Sequence, residues 1–500
     1  MSKSSLSALS EPHLQFRYLQ QTEHPRDGLA LFGPYDADSP ARPSGITYAV
    51  IGTPDGQEAY SRWAAMVSRP VVADAAKYNQ RLWQPWPGFE AAFQAQWPGA
   101  AGWTYTVDSA SLDAACHQAD PHKRANDTVQ LYLGGLEVAR RRDESFGVAV
   151  CVVPDDVWLY CRPESGVADA VGTAVSRRDL SQRRAGALNL FEDYDAVWYK
   201  RSRDFRRQLK LRAMDYGMPI QIVRQSTLAL TDEDTSRGLT PMCDRMWNLS
   251  TTLYYKCGGK PWRLAAPRPG VCYLGMSYRR TGRAADDKTA CCAALMFVDN
   301  GDGIVFIGET GPWWSAETRQ FHVSGSAAAS LLAGTLKTHQ EMHGSPIDEV
   351  FIHARSGIDD EEWNGFLSAC PPGVKVVAVR VQGEHGGLKL YRQGTHPVVR
   401  GTCWRTSDRS CLLWASGFKP RLGTYDGFEV PNPLRIDIQH GEADLDTVAS
   451  DVLALTKLDY NACKLGAGEP VTIRFSDAVG EILVTNDANA KGRPNFKYYI

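Results

Sequence analysis

The sequence predicts an α/β protein of more than one domain, in which helices cover sheets with parallel strands. Three observations predict it. Short runs of apolar β-formers alternate with amphipathic helical stretches along the chain. The chain has 500 residues, enough for two to four domains and a sizeable core. Residues 248–262 read as a helix that ends in a tight turn, as at a seam between two halves.

Residues 1–30 are polar and mixed, and Leu31–Tyr35 makes a turn. Ile46–Thr53 is an apolar run closing on a Gly-Thr turn, the pattern of a buried strand. A helical stretch follows over 56–68, then Trp- and Pro-rich loop sequence over 83–98. Residues 128–141 form an amphipathic helix with a basic end; Ser145–Val153 and Asp156–Tyr160 are strand-like. Arg177, Arg178, Arg183 and Arg184 lie among polar residues, as a solvated face or a rim for a nucleic-acid backbone. Asp195–Tyr199 is strand-like. Arg201, Arg203, Arg206, Arg207, Lys210 and Arg212 then crowd one helix with Phe205, Leu209 and Met214 as its apolar face, and Met218–Val223 is a strand. Further strands are expected over 270–278, 293–298, 304–307 and 349–357, with a hairpin at 300–303 and a helix over 325–343.

Composition excludes several classes. Net charge is −2, so any polyanion must meet a localised groove rather than a uniformly basic surface. No run of 18 apolar residues exists and the first residues are polar, so neither a membrane span nor a signal peptide is expected. The twelve cysteines form no C-x-x-C pair and read as reduced thiols of a cytoplasmic protein. His339 and His343 make no complete zinc motif, because Glu341 is misplaced for H-E-x-x-H; they read as solvated. No G-x-G-x-x-G follows a strand and no phosphate-binding P-loop is present.

At the seam, Lys256 stands where a helix ends. Gly258 and Gly259 supply the positive φ or close approach that ends it, and Pro261 stops it from resuming. Upstream, Arg206 and Lys210 are one helical turn apart and share a face. Such clustering in an otherwise slightly acidic chain points to anion binding rather than solubility.

Tyr254–Trp262 resembles the K-x-G-G-x-P-W segment that joins the MID and PIWI domains of Argonaute proteins, especially prokaryotic ones. Leu455-Thr456-Lys457-Leu458-Asp459-Tyr460-Asn461, followed by Pro470–Phe475, resembles the family's L-T-K-x-x-x-N … P-x-T-x-R-[YF] pattern. The resemblance implies a short prokaryotic Argonaute: an N-terminal extension (1–30), a Rossmann-like MID domain (31–262) and an RNase H-like PIWI domain (263–500), without N and PAZ domains. It implies that Arg206, Lys210, Gln221 and Lys256 bind a guide's 5′ phosphate, with Arg206 where the family usually has an aromatic or histidine. Arginine can grip phosphate bidentately. It also implies magnesium at that phosphate, held by the C-terminal carboxylate of Ile500.

Active PIWI domains need three or four carboxylates, sometimes with a histidine, around two metal ions. Here Ser277 and Ser356 occupy the two expected aspartate positions. Serine hydroxyls neither neutralise nor tightly ligate magnesium, so no cleavage is expected. Arg279, Arg280, Lys457 and Arg474, with Lys375, Arg380 and Lys389, are candidates for guide–target backbone contacts. The resemblance implies a sensor that pairs a 5′-phosphorylated guide, usually RNA, with invader DNA. It would activate an APAZ-containing partner with a sirtuin-like, TIR or nuclease effector, and could assemble into a higher oligomer on activation. The rival is an active RNase H-like nuclease with a rearranged site drawn from Asp287, Asp299, Asp302, Glu309, Asp359 or Asp487. A third reading is a structural subunit without affinity for a 5′-phosphorylated oligonucleotide.

Overall fold

The structure is a computed structural model. It describes residues 5–174 except 101, then 198–199, 201–231, 238–280, 289–297, 303–311, 313–315, 317, 319–342, 344, 346–384, 387–483, 493 and 495–500. For 280, 289–297, 303–311 and 342 only the backbone is described.

The first half is built on a four-stranded parallel sheet in the order Trp103–Thr106, Tyr48–Gly52, Val148–Val153, Ile220–Arg224. Its central strand, Val148–Val153, buries all six residues, as a parallel strand covered on both faces requires. Tyr48 and Val50 enter one core with Trp63 and Trp86, whereas Ala49 and Ile51 enter another with Tyr132 and Phe205. Period-two alternation thus feeds two layers of helix, led by Pro54–Val67 on one face and Pro121–Arg140 on the other.

The second half is a nine-stranded mixed sheet. Val271–Arg280, Thr289–Phe297 and Gly303–Gly311 form an antiparallel meander, and Glu349–Ala354 and Lys375–Gly383 join on the other side in parallel. Gly325–Met342 and Asp360–Ala369 cover one face; Leu445–Leu455 and Val471–Leu483 cover the other. Gly275 is required here: a Cβ would lie 2.0 Å from the Thr472 carbonyl, so only glycine lets the last helix press onto the first strand. This is an α/β architecture of a Rossmann-like layer followed by an RNase H-like sheet.

Residues 5–30 pack against both halves. Ser5–Ala8 pairs with Thr402–Arg405 and becomes the edge of the large sheet. Leu14–Gln15 pairs with Arg263–Leu264 at the seam. Arg26, on the Pro25–Phe32 helix, pairs with buried Asp244 of the first half and donates to the Cys463 carbonyl of the second at 2.8 Å.

Several local expectations are corrected. Asp155–Tyr160 is helical, not a strand, because Pro154 opens it and Asp155 and Asp156 lie in its first turn. Trp198 and Tyr199 are also helical. His339 is buried rather than solvated. The basic helix begins only at Phe205, where Asp204 caps the Arg207 amide; Arg201 and Arg203 precede it. The positions of Arg177, Arg178, Arg183, Arg184, Asp287, Asp299, Asp302, His343 and Asp487, and the side chains of Arg280 and Glu309, lie outside the described residues.

Candidate nucleic-acid interface

The two sequence motifs meet in space. The Met242–Lys256 helix stops at Gly258, whose φ is +99°, and a Cβ on Gly259 would lie 2.3 Å from the Tyr254 ring. The turn is pinned by Asp36, which accepts from the Tyr254 hydroxyl and the Lys260 amide, each at 2.7 Å. Trp262 then donates to the Lys457 carbonyl at 3.0 Å, and the Tyr460 hydroxyl donates to the Trp262 carbonyl at 2.8 Å. Both motifs are therefore one piece of packing that fixes the seam.

That seam places Lys256 at the end of the first-half sheet. Its ammonium is fully buried and donates to three oxygens: Ile220 O at 2.6 Å, Gln221 Oε1 at 2.8 Å and Ile500 O at 2.7 Å. Lys210, 4 % exposed, donates to the Tyr499 carbonyl at 2.9 Å. Arg206, one turn earlier, is close enough to lower the pKa of both lysines. The structure thus brings Arg206, Lys210, Gln221, Lys256 and Ile500 together from two helices, a strand and the last residue.

The electrostatics of this cluster are unusual. Burial, followed by Arg206, lowers the Lys256 pKa to about 7. Burial and the neighbouring Arg206 and Lys256 push Lys210 well below the ordinary lysine value. Arg206 is also lowered, by burial first, although Glu481 opposes this from 4.0 Å. Cations that discharge one another in a dry site would regain their charge beside an anion. An oxyanion entering here meets three cationic groups and a carboxamide, the chemistry of phosphate capture.

Ser277 and Ser356, the two serines expected at aspartate positions, lie on or just beyond strands of the large sheet. Ser277 is 4 % exposed, and its Oγ has no hydrogen-bond partner among the described residues. Ser356 is half-buried just past the Glu349–Ala354 strand. Carboxylates of the Val471–Leu483 helix and of Glu469 just before it do approach this region, but arginines hold them. Arg355 grips Glu469 with two bonds of 2.8 Å and Asp477 at 2.9 Å. Glu481 lies 3.4 Å from Arg279 and 3.5 Å from Arg207.

Among the described residues, one group of three metal-competent side chains is close-set: His322, Asp359 and Glu362. Buried Glu362 already accepts from Tyr278 Oη at 2.8 Å, Val323 N at 2.9 Å and Asp359 N at 3.0 Å, with His322 Nδ1 at 3.0 Å. Asp359 in turn caps the Glu362 amide at 2.9 Å. This is a helix-starting capping box, with its oxygen capacity largely used.

The backbone-contact candidates divide. Lys457 is corrected: it is 1 % exposed, and its ammonium binds Glu11 at 2.6 Å and the Glu23 carbonyl at 2.7 Å. Arg279 is half-buried among carboxylates, whereas Arg474 is exposed and pairs with Asp459 at 2.6 Å. Lys375 pairs with Glu349 at 3.3 Å, Arg380 donates to the Arg355 carbonyl and Lys389 to the Val430 carbonyl. Beside Lys457 opens a cavity of about 330 Å³ lined by Lys419, Asp426, Asp459, Lys464 and Arg474 among others. Sequence reasoning missed Lys464, an exposed cation on this rim. A lone lysine just beyond the matched Asn461 is too weak a signal to have marked it.

No protein-family model and no curated protein sequence matches the chain. Among solved structures it is similar to Clostridium butyricum Argonaute bound to a guide DNA and a 19-mer target DNA. That match has a TM-score of 0.61 and 12 % identity over 100 % of this chain and 55 % of the other. It is also similar to Aa-Ago with externally bound siRNA, at a TM-score of 0.55 and 10 % identity over 99 % of this chain and 56 % of that one. The chain spans about half the length of these structures, and at such identities the likeness establishes the fold, one shared with Argonaute proteins.

Proposed function

We propose that this chain is a guide-loading nucleic-acid sensor of the short Argonaute type. It binds a small 5′-phosphorylated guide, most simply RNA, and pairs it with complementary DNA without cutting. The observation that carries the reading is the cluster of Arg206, Lys210, Gln221 and Lys256 beside the last residues: Lys256 donates to Gln221 Oε1 and Ile500 O, Lys210 donates to Tyr499 O, and Arg206 acts electrostatically on both lysines. The same fold is seen in Argonaute structures solved with guide and target or with siRNA. The arginine-bound carboxylates near Ser277 and Ser356 support a silent PIWI half.

In this reading target pairing activates an APAZ-containing effector in the cytoplasm, sirtuin-like, TIR or nuclease, as part of defence against invading DNA. NAD depletion or nucleic-acid destruction, and with it abortive infection, belongs to that partner. Where Ile500 carries the terminal carboxylate, it and the guide phosphate offer the hard oxygen ligands that magnesium prefers. Gln221 Oε1 and the Ile500 oxygen accept from the Lys256 ammonium at 2.8 and 2.7 Å, so a magnesium ion would take the Ile500 oxygen only by displacing that ammonium. Magnesium would neutralise charge between carboxylate and phosphate; the protein's own cations hold the phosphate in place. Chelation by EDTA is then expected to weaken 5′-phosphate binding severalfold in a filter-binding titration, and an unchanged affinity would remove the ion from the site.

Binding should also depend on pH with a defined sign. A phosphate dianion favours protonated Lys256, whose free pKa is about 7. Affinity is therefore greatest near pH 6.5 and falls on the order of tenfold by pH 8.5, as the free site loses its proton. A 5′-hydroxyl guide should show a nearly flat profile. Equal slopes for both guides would disconnect Lys256 from the phosphate.

The direct test is a comparison of 5′-phosphorylated and 5′-hydroxyl guides on the full chain, with its effector partner where solubility requires it. A matched DNA target is then added with magnesium or manganese. The expected result is a clear preference for the phosphorylated guide and an intact target. Cleavage would establish the rival nuclease reading, and absence of preference would undo the guide-pocket assignment.

A further inference from the structure

Two thiols of the first half lie in contact where its cation-bearing helix begins. Cys116 ends the Ser109–Cys116 helix and Cys161 caps the Asp155–Tyr160 helix; their sulfurs are 3.9 Å apart. Both are buried. The Thr128 hydroxyl lies 3.8 Å from one and 3.6 Å from the other. Arg124 acts electrostatically on both sulfurs, and its buried Nε has no hydrogen-bond partner among the described residues. An unused guanidinium donor beside two thiols favours a thiolate. The hydrogen bond with Cys116 is the main influence that holds the Cys161 thiol below its ordinary value, with Thr128 and Arg124 assisting against burial.

We propose that Cys116 and Cys161 are an oxidisable dithiol whose closure to a disulfide weakens the anion pocket. With hydrogen peroxide as oxidant, the Cys161 thiolate attacks one peroxide oxygen. The O–O bond breaks, and hydroxide leaves and takes up the thiol's proton as water. The resulting sulfenic acid is attacked by the Cys116 sulfur; the S–S bond forms and the hydroxyl leaves as water with the Cys116 proton. Two thiols lose two electrons and one peroxide becomes two waters.

Closure draws the sulfurs from 3.9 Å to about 2.05 Å. The Cys161 carbonyl accepts from the Phe205 amide at 3.0 Å, in the first turn of the Phe205–Ala213 helix. Arg162 lies 3.3 Å from Asp204, the residue that caps that helix. Cys116, Cys161, Phe205 and Leu209 share one core, while Ile500 belongs to the core on the other face. Movement of Cys161 toward Cys116 therefore pulls on the first turn of the helix that carries Arg206 and Lys210.

The effect on the pocket rests on the guide-binding reading; disulfide formation does not. The test treats the reduced full chain with a slight excess of hydrogen peroxide, then maps alkylated tryptic peptides by mass. A cross-linked Cys116–Cys161 peptide, lighter by two hydrogens, should form before other cysteine pairs. Affinity for a 5′-phosphorylated guide should fall at least threefold, recover with dithiothreitol, and stay unchanged by peroxide in Cys116→Ser. Free Cys116 and Cys161 after other thiols have oxidised would overturn the proposal. A complete disulfide that leaves phosphate affinity unchanged would overturn its coupling to the pocket. If the reduced protein shows no phosphate preference, the guide-pocket reading fails, and the peptide map alone decides the dithiol.

Discussion

Lys256→Ala is expected to lower affinity for a 5′-phosphorylated oligonucleotide by about 100-fold or more, while a 5′-hydroxyl oligonucleotide loses less than about threefold. The ammonium is fully buried and serves three oxygens on two separate elements, so nothing solvent-borne can replace it. Removing one partner of a buried charged contact costs on the order of 3–5 kcal/mol, or about two to three and a half decades in affinity. Lys210→Ala should cost less, about tenfold, because Lys210 reaches one main-chain oxygen and Lys256 remains beside it. Filter binding with both guide ends decides the matter. Circular dichroism on the free variant checks that it keeps the overall fold. An equal loss for the two guides would mean that Lys256 only braces the seam.

Much of this site was legible because its parts are local in sequence. Lys256 sits beside the two glycines that end its helix, and Arg206 and Lys210 are one turn apart, so spacing alone puts them on shared faces. The buried strands were legible from apolar runs. What escaped was set by partners remote in sequence. Nothing near Lys457 announces Glu11, which lies 446 residues away and turns an expected surface cation into a core one. Asp477 and Glu481 look like free carboxylates until Arg355 and Arg279 are brought against them. Ser5–Ala8 and Leu14–Gln15 gave no strand signal because the strands they pair with, Thr402–Arg405 and Arg263–Leu264, are hundreds of residues away. Asp155–Tyr160 misled through its aromatic content, which favours strands only where a neighbour strand is available.

Glu11→Ala should be the most destabilising single change outside the anion pocket. The Glu11 carboxylate binds Arg400 at 2.8 Å and Lys457 at 2.6 Å, and both cationic side chains are almost wholly buried. Deleting the carboxylate leaves two cations facing each other without water, a loss of about 3–5 kcal/mol. The melting midpoint should fall by roughly 3–5 °C. Burial opposes ionisation of Glu11, but Arg400 and Lys457 together hold its pKa below the ordinary value. Its stabilising contribution is therefore present above the usual glutamate range and lost as pH falls through the lowered pKa. Burial brings Lys457 to about 8, so near pH 9 the native pair is already partly discharged and the deficit of Glu11→Ala should narrow relative to pH 6.5. Scanning calorimetry at the two pH values measures both effects. A midpoint unchanged within about a degree at pH 6.5 would show that Arg400 and Lys457 find other anions. The N-terminal segment would then be no clamp, and the large sheet would keep its stability without Ser5–Ala8.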